Sequence, residues 1–188
     1  MSVFYDQIYR DVKALIRKHQ SRNPKEILLD RNVNLLAFTN DTKLLGMYKI
    51  IKRNRFVFYN PYIDTRLQNI VFAHELGHDF YHKDFAKNDN IIEYHIFDIN
   101  SEMELEANIF AAHLLLDEKQ IMEDIKEGFT YNQLAGLYDV NVNLMILKLN
   151  EMHRMGLPIR KETNLKSNFF VDIDGKDIRN HEIYWAYK

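Results

Sequence analysis

Three histidines stand at four-residue steps in NIVFAHELGHDFYHKDF, residues 69–85: His74, His78 and His82, with Glu75 directly after the first. His74 and His78 complete an H-E-x-x-H pattern. On an α-helix, residues i and i+4 lie one turn apart on one side, so both imidazoles can reach one tetrahedral ion. Glu75 is the next residue round the helix and projects beside that ion, where it can take a proton from a water. Ile70, Val71, Phe72 and Leu76 are apolar and would wall the site from solvent. Gly77 is costly inside a helix relative to alanine, which points to a close packing partner there. His82 is two turns from His74, about 12 Å along the axis, too far for both rings to share an ion. It is expected at the helix end or behind a ligand. The competing reading of the whole stretch is a solvated histidine face with no ion.

Cysteine is absent. That excludes disulfides, thiolate catalysis and Cys-based zinc sites, so a metal must be held by imidazole and carboxylate. A His₂-carboxylate site needs an acid from a second helix. SEMELEANIFAAHLLL, residues 101–116, offers Glu102, Glu104 and Glu106. The face that carries Glu104 continues through Ala107, Asn108, Ala111, Ala112 and Leu115. It is nearly all small residues, which lets a second helix lie close. Glu104 is therefore the expected third ligand, with Glu102 and Glu106 as surface charges. Ser101-x-x-Glu104 also reads as a capping box, which would turn the carboxylate to the helix N-terminus; Asn100 is the alternative cap.

The elements that must position these residues are legible as patterns. Tyr5, Ile8, Val12, Leu15 and Ile16 have helical spacing, SRNP breaks that helix, and KEILLDRN adds a short one. VNLLAF, LLGMYKII and RFVFYN are short β-branched or aromatic runs between turns, closed by Asn60-Pro61, and predict an antiparallel sheet of about three strands. Thr65 with Gln68 reads as the capping box that opens the motif helix, which should run to about Lys83. Asp117 with Gln120, Thr130 with Gln133, and Asn141 mark three further helix starts, the last helix stopping at Gly156.

The chain has 188 residues, of which 46% are apolar and 13% aromatic, with a formal charge of −2. That bounds it to one core-bearing domain, perhaps with an appendage, and gives no electrostatic footprint for nucleic acid. The first twenty residues carry charges throughout, unlike a signal peptide, and no apolar run reaches the length of a membrane span, so a cytoplasmic protein is expected.

The residues Arg66, Phe72, Ala73, His74, Glu75, Leu76, Gly77, His78 and His82, followed by Glu104, Ala107, Asn108, Phe110, Ala111, Ala112, Leu114 and Leu115, make a pattern similar to the ImmA/IrrE family of metallopeptidases. The resemblance covers roughly residues 5–150. It implies that His74, His78 and Glu104 bind one zinc ion, that Glu75 is the catalytic base, and that the substrate is a helix-turn-helix repressor. Members on phages and mobile elements act in this way as antirepressors. One departure is Asp117, where the family usually reads L-L-M-P; Asp117 can cap the following helix as proline would start one.

TYNQLAGLYDVNVNLMILKL, residues 130–149, is helix-turn-helix-like, with Leu134, Ala135, Val140 and Leu144 at core positions and Asp139 in place of the turn glycine. Its second helix presents Lys148 as the sole positive charge, too little for phosphate contacts, so a helical pair covering the core is expected instead of a DNA reader. The expectation is thus an α+β zinc endopeptidase of the gluzincin type. It has a peptidase domain over 1–128, the helical segment over 129–156, and an arm or hairpin over 157–188 whose Phe169, Phe170, Tyr184, Trp185 and Tyr187 form a satellite core or a partner surface. Tyr94, His95 and His113 are the candidate oxyanion helpers. The rival is a non-proteolytic regulator whose metal is structural and whose C-terminal helices bind a repressor or DNA.

Overall fold

A computed structural model describes residues 3–40, 42–87 and 102–159. The chain begins with α1 (Val3–His19) and α2 (Pro24–Asp30), then β1 (Val33–Ala37), β2 (Gly46–Ile51) and β3 (Asn54–Tyr59). The motif helix α3 (Thr65–Tyr81) follows and leads into a 3₁₀ turn at Phe85–Lys87. After it come α4 (Glu102–Leu115), α5 (Glu118–Lys126), α6 (Tyr131–Leu137) and α7 (Val142–Arg154). The architecture is α+β, as expected. The C-terminal arm, with the five aromatics named above, lies outside the described residues.

The three strands form, but the all-antiparallel expectation is corrected. The order is β1-β3-β2, with β2 antiparallel and β1 parallel to β3. Strand direction alternates along the chain, so an order that puts β3 between the other two makes β1 and β3 run together. Lys52 and Arg53, at φ 48° and 68°, form the tight β2–β3 turn in the left-handed conformation that suits a two-residue hairpin. Asn60 holds the β1–β2 crossover: its Nδ2 donates to Thr42 O and Leu44 O at 3.1 and 3.2 Å. β3 takes the centre because both its faces are apolar. Val57 is fully buried and Tyr59 meets Phe72 of α3 edge-on at 5.1 Å, while Phe56 and Phe58 stack on the outer face.

The start of α3 is also corrected. Asp64 is the N-cap, accepting from Leu67 N at 2.8 Å, and Thr65 is the first helical residue. A carboxylate complements the positive end of the helix dipole better than a hydroxyl. Gln68 does not reach back to the cap; it donates to Ile63 O at 3.0 Å. The helix ends at Tyr81 with His82 as its C-cap. Asp117, Thr130 and Asn141 cap α5, α6 and α7 as read from the sequence, Thr130 with the full capping box. Asp139 is left-handed at φ 56°, the conformation its missing glycine would have adopted.

α3 is buried on several sides, against the sheet, α2 and α4. One carboxylate ties three of these layers together. Asp79, fully buried, accepts from Arg31 Nε and Nη2 at 2.8 and 2.6 Å, from Tyr48 Oη at 2.8 Å, and from Arg55 Nη1 at 2.9 Å. Arg31 ends α2, Tyr48 lies on β2 and Arg55 on β3, so α3 is anchored to all of them next to its motif histidines. Ile8, Val12 and Leu15 of α1 are buried, and α1 and α7 both lie against α4.

Candidate metal centre

α3 and α4 meet at Gly77 and Ala107. A Cβ placed on Gly77 would lie 3.0 Å from Ala107 Cα and 3.3 Å from Ala107 Cβ, so glycine is what permits this approach. The close contact brings three side chains together across the interface. His74 Nε2 and His78 Nε2 are 3.0 Å apart. The Glu104 carboxylate reaches His74 Nε2 at 3.1 Å and His78 Nε2 at 3.3 Å. His74 and Glu104 are buried and His78 nearly so. Glu104 does not turn to the helix end as a cap.

The hydrogen bonds behind these residues decide which ring nitrogens face the cluster. His74 Nδ1–H donates to Asn108 Oδ1 at 3.0 Å, leaving the Nε2 lone pair directed inward. His82 Nε2–H donates to Glu106 Oε2 at 2.9 Å, so His82 Nδ1 accepts from His78 Nδ1–H at 2.8 Å. His78 therefore also presents a bare Nε2. His82 thus stands behind His78 and outside the cluster, in agreement with its spacing. The reading of Glu106 as a surface charge is corrected: its side chain is largely buried and serves His82, whereas Glu102 is exposed. The role of Asn108 went unread, although it sits one turn from Glu104 on the same small-residue face.

Two imidazole lone pairs and a carboxylate thus converge, and neither Glu104 oxygen has a hydrogen-bond donor in good geometry. Acceptors packed at this range repel unless a cation or a proton lies between them. Tetrahedral zinc with bonds of about 2.0–2.1 Å has ligand–ligand edges of about 3.3 Å. The observed separations match that, so the residues fit a zinc-sized ion. They form the one His/Asp/Glu group among the described residues able to hold a metal. Burial would raise the Glu104 carboxyl, but the two imidazoles against it, at 3.1 and 3.3 Å, outweigh burial and hold it well below the ordinary range. Burial likewise depresses His74, yet Glu104 reverses the sign and leaves its net value raised; at His78 burial prevails and the value is lowered.

Glu75 is buried beside the cluster and pushed up to about 8, chiefly by burial. The positive charge that His74 can carry and the backbone amide of Tyr48 both pull it back down. A cation at the cluster would do so further. An amide aimed at Glu75 lies on the side of β2 away from β3, so the sheet edge that has no partner strand among the described residues borders the site.

His113 is not at this site, which removes it as an oxyanion helper. It faces the other side of α4, where its Nδ1 is 3.1 Å from Lys148 Nζ and its ring meets Tyr9 edge-on at 5.2 Å. Lys148 itself is fully buried, which corrects its reading as a presented charge. Tyr94, His95 and Asn100 lie outside the described residues.

The IrrE N-terminal-like domain model matches residues 29–150, from the end of α2 into α7, and takes in the whole cluster. The chain belongs to the ImmA/IrrE family of metallopeptidases. Two relatives agree. Uncharacterized immunity region protein 2 of Bacillus phage phi105 is 31% identical over 144 residues, covering 77% of this chain and 90% of that protein. Metallopeptidase ImmA of Bacillus subtilis (strain 168) is 27% identical over 150 residues, covering 77% and 85%. An ImmA/IrrE metallopeptidase acts on protein and works with a metal ion. No helix among the described residues is long and apolar enough to cross a membrane.

Proposed function

We propose that this chain is a cytoplasmic zinc endopeptidase that cleaves a helix-turn-helix repressor and so relieves repression of a phage or mobile element. The observation that carries the reading is the convergence of His74 Nε2, His78 Nε2 and the Glu104 carboxylate within 3.3 Å of one another, beside a buried glutamate. His74, His78 and Glu104 are the proposed ligands. A zinc ion held there supplies Lewis acidity that activates a water and polarises the scissile carbonyl. Glu75 takes the proton from the attacking water and delivers it to the leaving amine as the peptide C–N bond breaks. Asn108 and the His82–Glu106 pair hold the ligand rings in the required tautomers. The edge of β2, which has no partner strand among the described residues, offers amides and carbonyls to an extended substrate segment.

The repressor as substrate rests on the family and on the relative named as an immunity region protein. Three protein ligands, counted among the described residues, would leave one coordination position open, as hydrolytic sites do, whereas structural zinc is usually held by four. Residues 129–156 are proposed as a covering helical pair on a peptidase domain of residues 1–128. Leu144, Met145, Lys148, Leu149 and Met152 of α7 are buried, which leaves its core-facing side unavailable to a DNA groove. Mixing the chain and zinc with a helix-turn-helix repressor from a neighbouring gene, where one is found, beside a Glu75→Gln control, tests the proposal. Cleavage by the parent alone is expected, with the control reduced by about 10²–10⁴-fold. An intact repressor in both mixtures would refute that substrate.

A further inference from the structure

At the β2–β3 turn lies a cavity of about 350 Å³ lined by Ile50, Lys52, Arg53, Arg55 and Lys87. Four of its five lining residues are cationic in a chain whose formal charge is −2. We propose that this cavity is a substrate subsite that takes an acidic side chain, a proposal that rests on the peptidase reading above.

The cations are not all spent on internal partners. Arg55 is set in place by Asp79, which it shares with Arg31, and by Arg31 O. Lys87 pairs with Asp84 at 2.7 Å, but that carboxylate is almost fully exposed, so the pair is weak and exchangeable. Among the described residues, Lys52 and Arg53 have no carboxylate partner. Both are held at the hairpin tip by left-handed backbone, which fixes where their side chains start. A pre-set guanidinium beside exposed cations suits a carboxylate that arrives from outside.

The cavity's place relative to the metal cluster gives it a register. Tyr48, whose amide addresses Glu75, marks the level of the scissile bond on β2. Lys52 is four residues further along, about 13 Å at about 3.3 Å per residue. A segment paired antiparallel with the edge of β2 away from β3 runs with its N-terminal side toward Ile51. An acidic residue three to five positions before the scissile bond would then reach the cavity.

The test uses zinc-loaded full chain and a Lys52→Glu/Arg53→Glu variant, with zinc content and circular dichroism matched. A proteome-derived peptide library is digested with each and the cleavage sites are read by mass spectrometry. The parent should favour Asp or Glu three to five residues before the cut by roughly tenfold, and the variant should lose or reverse that preference. In a second arm, the Glu75→Gln protein with and without the two reversals is titrated with hexaglutamate, hexalysine and a twelve-nucleotide single-stranded DNA. Hexaglutamate should bind best, and the reversals should weaken it at least tenfold. Cleavage without an acidic preference, or a preference kept by the variant, overturns the subsite alone. DNA binding tighter than hexaglutamate and lost on reversal overturns it in favour of a nucleic-acid contact. Absence of cleavage by any protein overturns the peptidase reading and the subsite role with it.

Discussion

Gly77 lies so close to Ala107 that a single added methyl would sit 3.0 Å from the Ala107 Cα. This contact sets the distance between α3 and α4, and so the reach of Glu104 to the two histidines. Gly77→Ala gains about 1 kcal/mol of helix propensity but costs about 1–3 kcal/mol in overpacking against backbone. The net expectation is a modest loss of stability with a clear loss of zinc affinity, and Gly77→Val should be worse in both. Denaturant unfolding and chelator competition measure them separately. A Gly77→Val protein with parental zinc affinity would show that the contact does not set the site.

The His82–Glu106 pair fixes the tautomer of His78 through a chain of two hydrogen bonds. His82→Phe removes the acceptor for His78 Nδ1–H and should weaken zinc binding by about 10–100-fold. Glu106→Gln should cost less, because its amide oxygen can still accept from His82. Equal affinity in His82→Phe and parent would mean that His78 is oriented by something else.

Protons would compete with the proposed zinc ion for the same lone pairs. The His74 value is raised by Glu104 despite burial, whereas that of His78 is lowered by burial. Apparent zinc affinity should therefore begin to fall on the alkaline side of the ordinary histidine value, by about tenfold per pH unit. It should fall more steeply at lower pH, once His78 also takes a proton. Chelator competition from pH 8 to pH 5 gives the curve; a flat profile would count against imidazole ligation.

Asp79 is buried, and burial alone would raise its carboxyl, but Arg31, Tyr48 and Arg55 hold it below the ordinary range. The unfolded chain then binds a proton at a higher pH than the folded one. The stabilisation is present above the ordinary carboxylate value and is lost as pH falls through the folded value. Asp79→Asn should cost about 3–5 kcal/mol, since two guanidiniums lose their shared anion. Urea unfolding at pH 7 checks the size; a change under about 1 kcal/mol would dismiss the layer-tying role.

At Lys148 the lowered value instead penalises the charged form, although stability again rises with pH. Burial pushes its ammonium down to about 8 from an ordinary 10.5, against the pull of Glu118. Between those values the unfolded chain binds the extra proton, so folding stability contributed by this group rises as pH goes from 8 to 10.5. Lys148→Met should be near neutral or stabilising at pH 7, because Glu118 keeps Lys13 at 2.7 Å and Tyr9 at 3.0 Å. The variant should also lack the alkaline rise, which thermal unfolding across that range would detect.

What could be read ahead of the structure was local. The H-E-x-x-H register, the small face around Ala107 and Ala111, and the caps at Asp117, Thr130 and Asn141 each depend on residues within a turn or two of one another. Helical geometry then leaves few alternatives. The cap of α3 was misread by one residue because Asp64 and Thr65 are both good caps, and the choice falls to the turn that Pro61 and Ile63 shape. Glu106 and Lys148 read as surface charges by local pattern yet are largely or wholly buried, since burial depends on which helices arrive from elsewhere. The network around Asp79 had no short-range signal at all, because its donors are 48, 31 and 24 residues away.

By itself the sequence determined the helices, their faces and the residue types able to grip a cation, since backbone hydrogen bonding and side-chain periodicity act over a few residues. Only the tertiary structure decided that β3 lies between its neighbours and that the Tyr48 amide of β2 addresses Glu75. It also decided that His82 and Glu106 stand behind His78. Those outcomes follow from burial and pairing between segments far apart in the chain, where many arrangements satisfy the same local rules and only the packed whole selects one.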